Sequence, residues 1–99
     1  MAPDAAEAYK KLSARIRSQV RDALELHLRH EPTKVSKSRI KRLRGVSRPQ
    51  YRLRVDEIRV FYDVKETTVE ILAILQKADA QKWLVKEGTP DTGGRVGES

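Results

Sequence analysis

A chain of 99 residues is long enough for one small hydrophobic core, and this one has few apolar residues from which to build it. Hydrophobic residues make up 38% of the sequence and charged residues 35%, so much of the chain should face water. The formal net charge of +7 indicates an anionic partner, which could be nucleic acid, a ribosome, an acidic protein or a membrane surface.

The composition also excludes several classes of protein. The chain has no cysteine, which rules out a disulfide framework, a thiolate zinc site and a cysteine nucleophile, and fits a cytoplasmic protein. No apolar run reaches the roughly 18 residues of a membrane helix, and the N-terminus lacks the apolar core of a secretory signal. We therefore expect no membrane partner, no metal and no cofactor.

The N-terminal third has helical periodicity. From Asp4 to about His30 the apolar residues recur at steps of three or four, which predicts an amphipathic helix, and Pro32 ends the pattern. Ser13 is a candidate N-cap, so a hairpin of two helices is also consistent with this stretch. His27 and His30 are expected to be surface or helix-terminal residues rather than catalysts. The apolar stripe consists of Ala5, Ala8, Tyr9, Leu12, Ile16, Val20, Leu24 and Leu28.

The middle of the chain changes to a period of two. A short apolar and basic stretch ends at Gly45, and Pro49 marks a turn. Residues 51–55 and 58–62 then alternate as two strands do, with Asp56 and Glu57 as a two-residue connection. Residues 67–75 are β-branched and almost continuously apolar, which predicts a central strand covered on both faces.

The last part of the chain predicts a short helix and a tail. Ala80, Trp83 and Leu84 share one side of the helix as core residues, and Gly88 is its stop signal. Residues 89–99 are expected to be disordered, which leaves one domain over residues 1–88. The predicted fold class is α+β, with a helical hairpin packed on a small, mainly antiparallel sheet and a short C-terminal helix.

The predicted hairpin register assigns each strand residue to a face. With Asp56 and Glu57 in the loop, Arg54 lies opposite Arg59 and Arg52 lies opposite Phe61. These four residues form one face, while the apolar residues between them form the face that packs on the helices. Like charges in direct opposition destabilise a sheet unless an anion neutralises them, so this face indicates a receptor for negative charge.

The basic residues before the hairpin support that interpretation. Residues 34–59 contain ten basic residues and only two acidic ones. Arginine can bridge two phosphate oxygens, and an aromatic ring can stack on an unpaired base, so single-stranded RNA is favoured over double-stranded RNA. The alternative is a solvated face that only protects the sheet from edge pairing. The predicted RNA-binding residues are Phe61, Arg39, Lys41, Arg42, Arg44 and Arg48.

The order of these motifs resembles the RelE/ParE superfamily of toxins from bacterial type II toxin–antitoxin modules. The resemblance covers residues 5–84 and is carried by "KRLRG", "YRLRVDEIRVFYDV", "TVEILAIL" and "KADAQKWL". It implies a small α+β toxin whose basic face is neutralised by a cognate antitoxin, in a heterotetramer or a larger complex. In the RelE branch it implies cleavage of mRNA on the ribosome, with the ribose 2′-hydroxyl as the nucleophile, and therefore inhibition of translation.

The resemblance assigns the catalytic positions to Arg52, Arg54, Arg59 and Lys77, which would clamp phosphate and stabilise charge in the transition state. RelE-type enzymes often have lysines at the positions of Arg52 and Arg54 and a C-terminal Tyr or His, which this chain lacks. Lys77 could donate a proton, and Asp79 is the only nearby carboxylate.

The family's first strand has no counterpart in the sequence given, where only "MAPD" precedes the hairpin. Either the strand is absent or the start is truncated, and losing the strand would leave an exposed sheet edge with which an antitoxin segment or a second copy could pair.

Three functions remain open on the sequence. The first is a ribosome-dependent mRNA endoribonuclease toxin, which the arginine-rich face favours. The second is a ParE-like inhibitor of DNA gyrase, which needs no nuclease residues. The third is a nucleic-acid-binding module without toxicity.

Overall fold

A computed structural model describes residues 1–29, 31–35 and 39–90 of the chain. Its helices are α1 (Pro3–Lys11), α2 (Ala14–Ala23) and α3 (Lys77–Glu87), and α2 continues into a π-helical segment, Leu24–Leu28. The strands are β1 (Ile40–Arg42), β2 (Val46–Arg48), β3 (Tyr51–Val55), β4 (Ile58–Lys65), β5 (Thr68–Gln76) and β6 (Thr89–Pro90). Within these ranges, none of the helices has the length and apolar character needed to cross a bilayer. The predicted α+β class is confirmed.

The N-terminal segment is a helical hairpin. The Ser13 hydroxyl accepts a hydrogen bond of 3.2 Å from the backbone N–H of Ile16, which caps the start of α2. The Arg17 guanidinium donates to the carbonyls of Lys10 and Leu12 at the end of α1, at 3.3 and 3.1 Å. These bonds satisfy backbone groups that the two helix ends would otherwise leave unpaired. The whole predicted apolar stripe of the hairpin contributes to the core.

The main sheet is antiparallel, with the strand order β1-β3-β4-β5. The predicted register of β3 against β4 is confirmed, with Arg54 opposite Arg59 and Arg52 opposite Phe61. Asp56, in the connection, has a φ of 54°, a left-handed conformation that Asp adopts more readily than most residues. The register therefore separates an apolar face from a basic one.

The apolar face packs on the helical hairpin. Leu53, Val60 and Tyr62 on this face are 0% exposed. Tyr62 stacks on Tyr51 with ring centroids 5.4 Å apart, and its hydroxyl donates to the carbonyl of Pro32 at 2.6 Å. Burial, and then the neighbouring Tyr51, raise the pKa of Tyr62 above its ordinary value. The predicted core face is thus filled, and its one buried hydroxyl is satisfied.

Strand β5 differs from its predicted central position. It lies at one edge of the sheet, while β3 and β4 are the central strands. Its apolar character still has a physical reason, because α1 packs on one of its faces and α3 on the other. Ala2 donates its backbone N–H to the carbonyl of Ile71, and Leu72 is an extra residue between the pairs that Ile71 and Ala73 form with β4.

A second, two-stranded sheet joins distant parts of the chain. Strand β2 pairs with β6, and the Ser47 hydroxyl lies 3.4 and 3.5 Å from the carbonyl oxygens of Thr89 and Pro90. Helix α3 ends before Gly88, as predicted. Thr89 and Pro90, which the sequence analysis assigned to the tail, instead belong to this small sheet, and residues 91–99 of that tail lie outside the described residues.

Candidate anion-binding site

The basic face of the main sheet forms the floor of a cleft that α3 covers from one side. The cleft has a volume of about 650 Å³. Its apolar and neutral lining residues are Leu43, Phe61, Ala80, Gln81 and Leu84. Its other lining residues are all basic, namely Lys41, Arg42, Arg44, Arg52, Arg59 and Lys77. No carboxylate lines the cleft within the part of the chain that the structure describes.

This cleft accounts for nearly all of the net charge of the protein. Six of the 21 basic residues line it, and the remaining fifteen are balanced by fourteen acidic residues elsewhere in the sequence. Positive charges gathered in a concave site with apolar walls raise the local concentration of anions. The net charge of the chain is therefore a property of one site rather than of the whole surface.

Arg52 lies in the floor of the cleft, on the central strand β3. Its Nε atom is buried and has no hydrogen-bond partner among the described residues. Burial, followed by the charges of Arg59 and Arg54, lowers the pKa of Arg52. A buried donor without an acceptor is costly, and an anion in the cleft would supply the acceptor that the protein lacks.

Arg59 is the most enclosed of the basic residues that the structure describes. Its side chain is 8% exposed, and its Nη1 atom donates to the carbonyl oxygens of Asp56 and Ile58 at 2.8 and 3.1 Å. These bonds hold the guanidinium at the end of the β3–β4 hairpin. Arg54, directly opposite on β3, is exposed and does not line the cleft.

Two further elements form the walls of the cleft. On one side, Lys41 pairs with Arg52 across β1 and β3, and Arg44 follows in the loop. On the other side, Lys77 begins α3, and its backbone N–H donates to the carbonyl of Glu57 at 2.7 Å. The other cleft residues of α3, which are Ala80, Gln81 and Leu84, were not among the predicted site residues, and Ala80 and Leu84, predicted to be core residues, are only half-buried. Their positions, three, four and seven residues after Lys77, are the helical spacing that could have identified them.

The ring of Phe61 is not exposed as the predicted stacking on a base would require. Its ring is 2% exposed and stacks on Trp83 of α3, with centroids 5.2 Å apart and planes inclined by 10°. The ring therefore cannot stack on an unpaired base in this arrangement, because Trp83 already occupies its face. The predicted packing role of Trp83 is consistent with this stack, although Trp83 is half-buried and packs outside the main core.

Two of the predicted RNA-binding residues lie away from the cleft. Arg48 forms ion pairs with Asp63 and Glu70, at 3.7 and 3.4 Å. Arg39 lines hollows on the helical side of the sheet, beside Leu26 and His27. Arg39 and Arg48 both belong to the basic run of the sequence, but neither lines the cleft.

Arg42 occupies an intermediate position. It lines the edge of the cleft, but its guanidinium donates to the carbonyl of Gln50 at 2.8 Å and lies 5.2 Å from the ring centroid of Tyr51. The structure thus gathers Lys41, Arg44, Arg52, Arg59 and Lys77 into one site, with Arg42 at its margin.

The chemistry that the cleft can perform follows from these side chains. Guanidinium and ammonium groups bind phosphate and stabilise developing negative charge, but at neutral pH they are poor general bases. Among the described lining residues there is no His, Tyr, Asp or Glu that could accept a proton. The described residues also contain no group of acidic, His or Cys side chains able to hold a metal ion.

Comparisons with known proteins bear on what such a site does. Residues 1–81 match the family model described as the ParE toxin of the type II toxin–antitoxin system parDE. No curated protein matches the sequence. A solved structure with a similar fold is that of the RelB–RelE antitoxin–toxin complex from Methanococcus jannaschii, with a TM-score of 0.63 and 18% sequence identity. The match covers 83% of this chain and 94% of that one.

Proposed function

The chain belongs to the ParE toxin family of type II toxin–antitoxin systems, and from that premise we propose that this toxin acts on RNA bound in its basic cleft. The observation that carries the proposal is the composition of the cleft. Six basic residues and no described carboxylate line one concave site, which suits a phosphodiester backbone.

The proposed reaction is cleavage of mRNA on the ribosome. The ribose 2′-hydroxyl attacks the adjacent phosphorus, the bond from phosphorus to the 5′-oxygen breaks, and a 2′,3′-cyclic phosphate and a free 5′-hydroxyl result. Arg52 and Arg59 would hold the non-bridging oxygens, whose negative charge grows in the transition state. Lys77, on the wall formed by α3, would donate the proton that the leaving 5′-oxygen needs.

The proton of the 2′-hydroxyl needs another acceptor. No lining side chain is suited to accept it, so water or a group of the ribosome would receive it. We therefore expect cleavage only of ribosome-bound mRNA. The toxin by itself would position the RNA and stabilise the developing negative charge, but it would not accept the proton of the 2′-hydroxyl.

Primer extension in a translating extract tests this proposal. We expect wild-type protein to cut mRNA at the codon in the ribosomal A site, and Arg52→Gln and Arg59→Gln to abolish the cuts. Arg48→Gln is the matched control, since Arg48 is paired with carboxylates outside the cleft. Intact mRNA with wild-type protein, under conditions that arrest growth in cells, would exclude the reaction.

The same cleft suits neutralisation by an antitoxin. The similar RelE is held in a complex with RelB, which supports a protein partner for this chain as well. We propose that the antitoxin places acidic side chains in the cleft, where they would pair with Arg52 and the residues around it. A complex in which the cleft stays open to solvent would contradict this.

Gyrase inhibition is the second candidate. It is favoured by the match to the ParE family model and by a cleft without a proton acceptor among its described lining residues. A toxin that only binds its target needs no general base. Supercoiling by purified gyrase separates the two candidates, because inhibition of supercoiling together with intact mRNA would select this one.

A further inference from the structure

The small sheet of β2 and β6 connects the two walls of the cleft. One wall ends with Arg44 in the loop after β1, and the chain then passes Gly45 and enters β2. The other wall is α3, which ends at Glu87, and the chain then passes Gly88 and enters β6. Because β2 pairs with β6, the loop and the helix that face each other across the cleft are joined beyond it.

Helix α3 contacts the main sheet on one side only, through β4 and β5, so such a connection would add to the few contacts that hold its C-terminal end. The helix has no buried residue, and the Phe61–Trp83 stack is its one aromatic contact in the described structure. Its first residue is anchored by the bond from the Lys77 N–H to Glu57. Near its end, Trp83 and Glu87 border a hollow of about 320 Å³ that they share with Arg48 and Leu72.

The two glycines at the ends of this connection are suited to their positions. Gly45 has a φ of 78°, a left-handed conformation in which a side chain would be strained. At Gly88, an added Cβ would collide with the carbonyl oxygen of Leu84, which is also the acceptor for the Gly88 N–H. The observed backbone path into each of the paired strands is therefore one that glycine adopts more easily than a residue with a side chain.

We infer that the pairing of β2 with β6 is a clasp that positions α3 over the basic face and so sets the width of the cleft. With the clasp closed, Lys77 and Gln81 face Lys41 and Arg44 across one anion site. With it open, α3 would keep the bond at its first residue, the Phe61–Trp83 stack and its packing on β5, but Gln81 and Leu84 would no longer be held at their present distance from the opposite wall of the cleft. This inference rests on the proposed function only where it concerns RNA affinity.

Truncation provides the direct test. A chain that ends at Gly88 lacks β6, and a chain that ends at Pro90 retains it and is the matched control. Trp83 is the one tryptophan of the sequence, so its fluorescence reports on α3 alone. A short labelled single-stranded RNA reports on the cleft through its anisotropy, and far-UV circular dichroism checks that each chain is folded.

We expect the chain ending at Pro90 to match the full-length protein in both measurements. The chain ending at Gly88 should show red-shifted, more readily quenched Trp83 emission and RNA binding weaker by up to roughly tenfold, as expected for the loss of about one hydrogen-bonding contact from Gln81. Equal Trp83 emission in the two truncated chains would overturn the inference. A red shift of the Trp83 emission in the chain ending at Gly88, without RNA binding by any of the chains, would support the clasp and refute the proposed function.

A second variant covers the case in which the shorter chain does not fold. Val46 and Pro90 are paired residues of the clasp, and the sequence contains no cysteine, so Val46→Cys with Pro90→Cys allows a single disulfide in the full-length chain. The oxidised form should keep Trp83 shielded at urea concentrations at which the reduced form exposes it. Identical Trp83 quenching in the two forms throughout the titration would also overturn the inference.

Discussion

Arg54 and Arg59 are directly opposite each other on β3 and β4, yet their side chains lie in different environments. Arg59 is 8% exposed and is held by two carbonyl oxygens of the hairpin, whereas Arg54 is exposed to solvent. The pair therefore avoids much of the repulsion expected of two facing cations, because one charge is bound by backbone acceptors and the other is solvated. Arg59 and Arg52 remain as the cations that form the floor of the cleft.

Removing the charge of Arg52 should weaken RNA binding without destabilising the protein. We expect Arg52→Gln to lower RNA affinity by roughly 10- to 100-fold, from the loss of one charge-assisted contact. The free energy of unfolding should stay constant or rise by up to about 1 kcal/mol, because a partly buried charge that is repelled by Arg59 and Arg54 is removed. Anisotropy and urea denaturation measure the two effects, and a variant that is both weaker in binding and clearly less stable would contradict this prediction.

Arg48 provides the contrasting case. Arg48→Gln should leave RNA affinity within about twofold of wild type, because this side chain pairs with Asp63 and Glu70 outside the cleft. Exposed ion pairs contribute little, so the stability should fall by no more than about 1 kcal/mol. The same binding and urea titrations apply, and a loss of affinity comparable to that of Arg52→Gln would mean that the RNA path extends beyond the cleft.

Salt should weaken RNA binding in proportion to the phosphates that the cleft neutralises. For a single strand, the slope of log affinity against log salt is about −0.7 for each phosphate contacted. Arg52→Gln should therefore reduce the magnitude of the slope by about 0.7, and Arg48→Gln should leave it unchanged. Titrations between about 50 and 200 mM salt resolve this difference. An identical slope for wild type and Arg52→Gln would place that guanidinium outside the RNA path.

The stack between Phe61 and Trp83 should contribute to the stability of the fold. We expect Trp83→Ala to lower the free energy of unfolding by about 1–3 kcal/mol, because it removes the ring contact and exposes Phe61. Trp83→Phe is the conservative control and should retain most of that stability. Urea denaturation, monitored by circular dichroism, compares the two variants. Equal losses of stability in both would show that the aromatic stack itself is not the source of the stabilisation.

Tyr62 should make the protein less stable at alkaline pH. Its pKa in the folded state is raised by burial, while in the unfolded chain it is near the ordinary value of about 10. Below that value both states are protonated. As the pH rises above it, the unfolded state releases a proton that the folded state retains, so the free energy of unfolding decreases by up to about 1.4 kcal/mol per pH unit.

Tyr62→Phe provides the comparison for that pH dependence. The substitution removes the hydroxyl that donates to Pro32, which should cost about 1 kcal/mol at neutral pH. It should also remove the contribution of Tyr62 to the decrease above pH 10. Urea denaturation of both proteins at several pH values checks this, and parallel stability profiles would contradict the prediction.

The fold could be predicted from the sequence in those stretches of the chain that follow a single hydrophobic periodicity. The alternation around Asp56 and Glu57 fixed the β3–β4 register, since a shift by one residue would have exposed every apolar side chain of the hairpin. The continuous apolar run of β5 indicated cover on both faces but not its place in the sheet. Helices cover both faces of this strand although it lies at an edge, and no local pattern distinguishes that case from a central strand.

The site was harder to predict, because it depends on contacts between distant residues. Alternation placed Phe61 on the basic face, but nothing near it in sequence indicated that Trp83 would cover its ring. Arg48 belongs to the basic run, and only the fold brings it to Asp63 and Glu70. Local spacing predicts the face of an element, while the partner on that face is set by the tertiary arrangement.

The extra residue in β5 divides that strand into two stretches that are out of phase by one position. Because Leu72 lies between the pairs Ile71–Tyr62 and Ala73–Phe61, Ile71 and Ile74 point into the same core although they are three residues apart. Deleting Leu72 would restore a uniform alternation along β5. In one of the two stretches, the side chains that now face the core would then point away from it. We therefore expect deletion of Leu72 to disturb the core more than a change of its side chain would, because this one extra residue sets which positions of β5 face the core.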